Sequence, residues 1–177
     1  MNDKETTPNV VVVMGVSGAG KTAVGQALAD ATGWRFVEGD AYHPASNIEK
    51  MSHGIGLTDE DRRPWLAALR DVVEQVVRED DHAILACSAL KHDYRETLRV
   101  PNAGRAVRFV FLDVPPEVLA QRLAERKHHF APPELLHSQL ATLEKPRDAL
   151  RVDGARPIPE IVEQVVNELR LPERGHA

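Results

Sequence analysis

Short apolar runs alternate along this 177-residue chain with longer segments in which hydrophobic residues recur every three or four positions. The apolar runs predict five strands, at 10–14, 35–37, 83–87, 107–112 and 150–152. Helical spacing is clearest at 24–31, 65–77 and 161–169. Strands separated by helices favour an α/β fold, in which a five-stranded parallel sheet lies between two layers of helices.

Glycine and proline positions predict where three of the helices begin or end. Gly33 is expected to stop the first helix, and Pro64 is expected in the first turn of the second. The pair Pro115-Pro116 is expected to open a helix that continues through Arg126. The apolar faces of these helices predict core positions.

Two segments, 40–63 and 122–133, interrupt the regular alternation of strands and helices. Ligands of an open parallel sheet bind beyond the carboxyl ends of its strands, so function is expected in these segments. The first belongs to a predicted substrate-binding segment, 40–66. The second combines cations with closing prolines and predicts a mobile lid at about 122–138. The whole chain is expected to form one domain with its core in 10–40, 83–122 and 150–171.

The most specific motif lies between the first strand and the first helix. It reads Gly15-Val16-Ser17-Gly18-Ala19-Gly20-Lys21-Thr22. Glycines let backbone N–H groups turn toward phosphates, the lysine reaches the β- and γ-phosphates, and the threonine hydroxyl takes a Mg²⁺ position. A glycine-rich turn with an incidental lysine is the alternative, which the strand-before-helix setting disfavours. The motif therefore predicts binding of a nucleoside triphosphate with Mg²⁺.

Two carboxylates follow the second predicted strand. Glu38 and Asp40 are two residues apart, so an extended backbone would point both toward the phosphates. Glu38 is expected to hold a Mg²⁺-bound water, and Asp40 is expected to accept the proton of an acceptor hydroxyl. The alternative for Asp40 is a role that only caps the following turn.

Two arginines open the predicted lid. Arg122 and Arg126 are four residues apart, which would place them on one helical face. One is expected to stack on adenine while the other meets the phosphates, and charge neutralisation during transfer is assigned to Arg126. A solvated basic face is the alternative.

Composition limits the other functions that the chain could have. A net charge of −5 argues against nucleic-acid binding. The polar residues 1–9 and the short apolar runs argue against export and membrane insertion, so a cytoplasmic location is expected. The single cysteine, Cys87, is expected to be a small buried side chain rather than a reactive thiol.

The chain also resembles a known family in several blocks of sequence. These blocks are Gly39-Asp40-Ala41-Tyr42-His43-Pro44, Asn47-Ile48-Glu49-Lys50-Met51, the run 57–66 with Asp61-Arg62-Arg63-Pro64-Trp65-Leu66, Cys87-Ser88-Ala89-Leu90-Lys91 with Tyr94-Arg95, Arg126-Lys127 with His129-Phe130, and the run from Leu140 to Pro146. In this order they resemble the gluconokinases of the P-loop kinase fold.

That resemblance implies a function and a topology. It implies ATP-dependent phosphorylation of D-gluconate on its terminal hydroxyl, which releases 6-phosphogluconate and ADP. It further implies a shikimate-kinase-like sheet with strand order 2-3-1-4-5, a lid that closes over ATP, and a homodimer.

A gluconate pocket needs partners for one carboxylate and a row of hydroxyls. Suitable side chains are His43, Arg62, Ser88, Lys91, Arg95 and Gln139. Spacing does not decide which cation takes the carboxylate, and ordinary surface ion pairs are an alternative for Arg62, Arg63 and Arg95.

Two other functional classes stay open from the sequence. A shikimate- or nucleotide-type kinase would share the sheet and the lid, whereas a nucleotide switch or ATPase would act on a partner protein. Asp113, at the end of an apolar strand, would suit a Mg²⁺ ligand of such an ATPase. The prolines that follow it favour a helix-capping role instead.

Overall fold

Five parallel strands form the sheet in the computed structural model, which describes residues 7–126 and 133–175. The strands are β1 (Val10–Met14), β2 (Arg35–Glu38), β3 (Ala83–Ala86), β4 (Val107–Asp113) and β5 (Leu150–Asp153). Their order is β2-β3-β1-β4-β5, and every pairing is parallel. The predicted fold class and strand order are confirmed, with strand ends within one residue of the prediction.

Helices connect the strands and cover the sheet. They are α1 (Lys21–Thr32), α2 (Ala45–Ser52), α3 (Asp59–Arg78), α4 (His92–Leu98), α5 (Pro116–Glu125), α6 (Pro133–Thr142) and α7 (Ile158–Leu169). Helix α1 packs on α7 and β3, while α3 packs on α4 and β1. Every residue of β1 is buried, as expected for a central parallel strand covered on both faces. The carboxyl end of β1 is therefore held rigidly beneath the loop that follows it. Among the described residues, no helix is both long enough and apolar enough to span a membrane.

Helix α3 begins earlier than the sequence predicted. Thr58 caps it: the Thr58 hydroxyl accepts the Asp61 N–H at 3.1 Å, and the Asp61 carboxylate accepts the Thr58 N–H at 2.9 Å. Pro64 consequently lies inside the helix, five residues after its first residue. Its expected position in the first turn is wrong, because the capping box outweighs the preference of proline for a helix start.

The predicted lid divides between two helices. Helix α5 ends at Glu125, and Arg126 already has extended backbone angles (φ −82°, ψ 106°). The expectation that Arg122 and Arg126 share one helical face is therefore wrong. Residues 127–132, the middle of the predicted lid, lie outside the described residues, and the chain is described again from α6.

Gly39 allows close contact between β3 and the turn that follows β2. A Cβ built on Gly39 would lie less than 3.0 Å from the Ala86 carbonyl oxygen, and the Gly39 carbonyl accepts the indole N–H of Trp65 at 2.8 Å. We expect Gly39→Ala to lower the free energy of unfolding by about 2–3 kcal/mol, because a strand backbone cannot move aside cheaply. Urea denaturation measures the loss. Gly175→Ala is the control, since its added Cβ would have no described atom within 4 Å apart from its own chain neighbours, and equal stability of the two variants would contradict the prediction.

Candidate active site

The loop Gly15–Thr22, hereafter the P-loop, runs from the carboxyl end of β1 into the first turn of α1. Gly18 and Gly20 have φ angles of 85° and 95°, in the left-handed region that favours glycine. Such backbone angles allow successive N–H groups to face an anion, and the positive end of α1 adds to the same field. The loop thus has the backbone conformation that the predicted triphosphate site requires.

Lys21 lies among charged groups at the base of the P-loop. Its ammonium donates to the Val16 carbonyl at 2.9 Å. Burial lowers the pKa of Lys21, and the nearby carboxylates of Asp40 and Glu38 act in the opposite direction. The Arg126 guanidinium lies close enough to add to the lowering. The structure therefore brings two cations and two acids together around the P-loop.

Thr22 and Glu38 meet at the site predicted for Mg²⁺. The Thr22 hydroxyl donates to Glu38 Oε2 at 2.5 Å, and Glu38 Oε1 accepts the Asp40 N–H at 3.4 Å. Hydroxyl and carboxylate oxygens are the hard ligands that Mg²⁺ prefers, so these residues fit the ion. Within the described ranges, no three His, Cys, Asp or Glu residues group as a metal site.

Asp40 faces the P-loop, although not by the predicted route. The chain leaves β2 at Glu38 and enters a short 3₁₀ helix (Gly39–Tyr42), so Asp40 is not in an extended strand. Glu38 rather than Asp40 caps this helix, and the Asp40 carboxylate accepts no hydrogen bond from the described residues. Asp40 lines a cavity together with Lys21. The carboxylate is thus available to a ligand in that cavity.

A cavity of about 290 Å³ lies next to the P-loop; we call it the acceptor cavity. Predicted site residues in its lining are Ser17, Lys21, Asp40, His43, Arg62, Ser88 and Gln139. Gln139, from α6, accepts the Ser17 N–H through Oε1 at 2.6 Å and so links α6 to the P-loop. Segments distant in sequence therefore converge on one volume beside the phosphate cradle.

Two predicted substrate contacts, Lys91 and Arg95, do not line the acceptor cavity. Lys91 pairs with Asp59 at 3.0 Å. Arg95 is 3% exposed, and its guanidinium donates to the carbonyls of Ala89, Leu90 and Glu144 at 2.8, 3.2 and 3.0 Å. Arg95 therefore ties the loop after β3 to the segment before β5.

The apolar walls of the acceptor cavity were not predicted from the sequence. They are Ile48, Met51, Leu57, Trp65, Leu90 and Leu135. Trp65 belongs to the predicted core, and at 1% exposure it is buried. Its ring nevertheless stacks on the His43 ring, with centroids 4.2 Å apart and an angle of 13° between the planes. The cavity wall thus continues the core, which helical spacing alone does not reveal.

His43 is held as a neutral ring between an acid and a cation. Its Nδ1 lies 3.2 Å from Asn47 Nδ2. Burial lowers the pKa of His43 to about 4, with Asp40 raising it and Arg62 lowering it. At neutral pH, His43 therefore offers the cavity a hydrogen-bonding ring without a charge.

This lowered pKa predicts a pH-dependent stability. Between pH 6.5 and about 4 the unfolded chain binds a proton at His43 that the folded chain does not, so stability falls as the pH falls. We expect the melting temperature of the wild type to drop about 3 °C more between pH 7 and pH 5 than that of His43→Gln, after allowance for partial exposure. Calorimetry at both pH values measures this difference. Parallel pH profiles of the two proteins would contradict it.

Arg62 lines the acceptor cavity and is the second cation there, with Lys21, among the described residues. The residue is 7% exposed, and Nη1 donates to the Leu57 carbonyl at 2.7 Å and to the Tyr94 hydroxyl at 3.1 Å. Nε and Nη2 make no hydrogen bond among the described residues, and neither is buried without a partner. One edge of the guanidinium is therefore anchored while the other keeps contact with the cavity.

Arg122 braces the P-loop from its carbonyl side. Its guanidinium donates to the carbonyls of Gly18, Ala19 and Gly154 at 3.1, 3.4 and 2.8 Å. Of the two lid arginines, Arg126 is the one whose charge acts on Lys21. Arg126 thus lies closer to the charge of Lys21, while Arg122 is engaged by backbone carbonyls.

The sequence also predicted roles for Asp113 and Cys87. Asp113 forms ion pairs with Arg151 and Lys145, and the N-cap of α5 is Pro115. The predicted capping role of Asp113 is wrong, because β5 places an arginine beside it. Cys87 is fully buried, as predicted, and burial raises the pKa of its thiol to about 12.

Known proteins with related sequences and structures share this arrangement of elements. A family model described as an AAA domain matches residues 10–146. A gluconokinase of Gluconobacter oxydans (strain 621H) is 47% identical over 166 residues, covering 92% of each chain. The crystal structure of a gluconokinase from Sinorhizobium meliloti 1021 matches with TM-score 0.80 and 47% identity over 93% of each chain. A sugar kinase structure from Janibacter sp. HTCC2649 gives TM-score 0.84 and 43% identity, over 93% of this chain and 95% of that one.

A P-loop that opens onto an acceptor cavity, at the carboxyl edge of a 2-3-1-4-5 sheet, places the chain among the P-loop kinases. Sequence identities of 47% to gluconokinases over most of the chain narrow the assignment from the P-loop kinases to one family. The chain belongs to the gluconokinase family.

Proposed function

We propose that this protein transfers the γ-phosphoryl group of ATP to the terminal hydroxyl of D-gluconate, giving 6-phosphogluconate and ADP. The observation that carries the proposal is the convergence of Lys21, Asp40 and Arg62 on one cavity of about 290 Å³. Lys21 belongs to the proposed triphosphate cradle. Among the described residues, the Asp40 carboxylate has no hydrogen bond and Arg62 donates from Nη1 alone. These three groups match the phosphoryl donor, the reacting hydroxyl and the carboxylate of a sugar acid.

The P-loop and the two lid arginines would hold the nucleotide. Backbone N–H groups of the loop and the Lys21 ammonium surround the phosphates, and Arg126 adds positive charge beside Lys21. The Arg122 guanidinium is fixed at its edge by carbonyls, which leaves its planar face for stacking on adenine. Lys21 and Arg126 would thus neutralise the negative charge on the transferred phosphoryl group from two sides.

Mg²⁺ would be held by the Thr22 hydroxyl, with Glu38 in contact through a water molecule. When bound, the ion supplies charge neutralisation on the phosphates. The Thr22 hydroxyl oxygen lies 2.5 Å from Glu38 Oε2. Both side chains offer only oxygen atoms as ligands, which suits this ion.

Asp40 would receive the proton of the attacking hydroxyl. The hydroxyl oxygen forms a bond to the γ-phosphorus as the bond to the β-γ bridging oxygen breaks, and ADP leaves. The proton passes to the Asp40 carboxylate, which has no hydrogen bond among the described residues. The protein must also hold the acceptor hydroxyl in position beside the γ-phosphate.

The acceptor would be oriented from its carboxylate end. Arg62 binds the carboxylate, since Lys91 and Arg95 are engaged elsewhere. His43, Ser88 and Gln139 offer neutral hydrogen-bonding groups for the hydroxyl row, and the Trp65 wall contacts the carbon chain. A cavity with a fixed cation at one end and an acid near the phosphates selects a sugar acid of matching length.

A coupled assay of ADP release tests this proposal. We expect rapid turnover with ATP, Mg²⁺ and D-gluconate, and slow turnover without an acceptor. Shikimate and a nucleoside monophosphate serve as competing acceptors, and D-glucose serves as a neutral control. Turnover that is indifferent to gluconate, or equally fast without an acceptor, would contradict the proposal.

Further parts of the proposal concern organisation. We expect residues 1–177 to act as one domain, with 40–66 as the substrate-binding segment, and we expect a homodimer in the cytoplasm. Light scattering of the purified protein tests the dimer. The lid at 122–138 stays a prediction, since its middle lies outside the described residues.

A further inference from the structure

Arg62 is also bonded to a chain of hydrogen-bonded side chains that do not line the acceptor cavity and have no role in the proposed mechanism. Its members are Tyr94 on α4, Asp59 at the start of α3, and Lys91 just before α4. Tyr94 is 5% exposed, whereas the Asp59 side chain is 54% exposed. The chain thus runs from solvent to the buried guanidinium.

The direction of each hydrogen bond in this chain follows from the groups present. Asp59 carries a carboxylate, which only accepts, so the one proton of the Tyr94 hydroxyl is donated to Asp59. The Tyr94 oxygen is left with lone pairs, and it accepts from Arg62 Nη1 at 3.1 Å. Negative charge on Asp59 is thereby relayed through Tyr94 toward the guanidinium.

The charge states of the pair agree with this direction. The hydrogen bond from Tyr94 lowers the pKa of Asp59, and Lys91 lowers it further. Burial raises the pKa of Tyr94, with the Asp59 hydrogen bond acting in the same sense. Asp59 therefore stays ionised and Tyr94 stays protonated across the physiological range.

Arg62 is fixed by this chain at one nitrogen only. Nη1 is shared between the Leu57 carbonyl and the Tyr94 hydroxyl, and the guanidinium carbon lies 5.3 Å from the centre of the Tyr94 ring. Nε and Nη2 form the edge that suits a bidentate carboxylate. Without Tyr94, the fork would keep a single backbone anchor and could rotate.

We propose that Tyr94, held by Asp59, is a positioning residue that orients the Arg62 guanidinium for the carboxylate of the acceptor. This inference rests on the proposed function. Tyr94 itself does not line the cavity, so it acts only through Arg62. Its contribution is selective for acceptors that carry a negative charge at that end.

The test compares two acceptors that differ only in charge, D-gluconate and its amide, D-gluconamide. We expect Tyr94→Phe to lower kcat/KM for gluconate about tenfold, mainly through KM, because an interaction present in both ground and transition states is weakened. The KM for ATP and kcat/KM for gluconamide are expected to change less than about twofold. Asp59→Asn keeps an acceptor oxygen but removes the charge, so we expect a smaller loss of about threefold for gluconate alone.

Thr97→Val is the matched control, since it also removes one hydroxyl from α4, and the Thr97 hydroxyl donates to the Asp93 carbonyl of the same helix at 3.0 Å, outside the proposed machinery. An equal loss with both acceptors, or no loss in Tyr94→Phe, would overturn the inference. If Tyr94→Phe fails to fold by circular dichroism, the acceptor ratio of Asp59→Asn decides alone. Failure of the proposed function is distinguishable, because the wild type would then not phosphorylate gluconate.

Discussion

Asp40→Asn lowers kcat by about a thousandfold, while the KM for ATP stays within about twofold of the wild-type value. We expect this result because the Asp40 carboxylate lines the acceptor cavity and is free to take the proton of the attacking hydroxyl. An amide of the same shape keeps the geometry but cannot accept that proton. Steady-state kinetics with ATP and gluconate varied independently measure both constants.

Asp71→Asn is the control for Asp40→Asn, since Asp71 is exposed on α3 and removal of its charge leaves the active site intact. The contrary result would be a raised KM for ATP with kcat unchanged. In that case Asp40 would serve the nucleotide or its metal ion, and another group would have to accept the proton.

Lys21→Met has the second large expected effect. We expect kcat/KM to fall about a thousandfold, or about 4 kcal/mol of transition-state stabilisation, because Lys21 is the cation built into the phosphate cradle. Methionine retains much of the aliphatic stem, so the comparison isolates the ammonium. The assay is ADP release at saturating gluconate with varied ATP.

The same substitution at an exposed lysine, Lys145→Met, controls for a general loss of charge, since the Lys145 side chain is 62% exposed and pairs only loosely with Asp113 at 3.8 Å. A Lys21→Met enzyme within tenfold of the wild type would contradict the phosphate role of Lys21. Arg126, whose charge already acts on Lys21, would then have to carry that role.

The phosphate cradle and the sheet were predictable because their signals are local. Val10–Met14 is an unbroken apolar run, and the P-loop glycines follow it directly, so a few adjacent letters specify both strand and turn. Asp40 was also placed correctly beside the P-loop, although a 3₁₀ turn rather than strand alternation puts it there. When functional residues directly follow a strand, the local sequence is therefore enough to predict them.

The part of the site proposed to bind the acceptor was less predictable. Arginines that are alike in the sequence have different surroundings in the fold. Arg62 and Arg95 are both buried arginines near polar segments, yet Nη1 and Nη2 of Arg95 donate to three backbone carbonyls, whereas Arg62 donates from Nη1 alone among the described residues. Which carbonyls surround a guanidinium depends on how α4 meets the segment before β5. Sequence spacing does not contain that contact.

The walls of the acceptor cavity come from still more distant parts of the chain. Ser138 on α6 fits closely over Gly56, and a Cβ on that glycine would meet the Ser138 hydroxyl. Such packing between segments about 80 positions apart is a property of the folded chain. The tertiary fold, rather than any motif, therefore decides the shape of the substrate pocket.

A crystal structure with D-gluconate and a non-hydrolysable ATP analogue tests the shared cavity most directly. We expect the terminal hydroxyl within hydrogen-bonding distance of the Asp40 carboxylate and facing the γ-phosphate, with the gluconate carboxylate on Arg62. If gluconate lay elsewhere, or if Asp40 pointed away from a hydroxyl held near the γ-phosphate, Asp40 could not be the proton acceptor and the proposed transfer would be wrong.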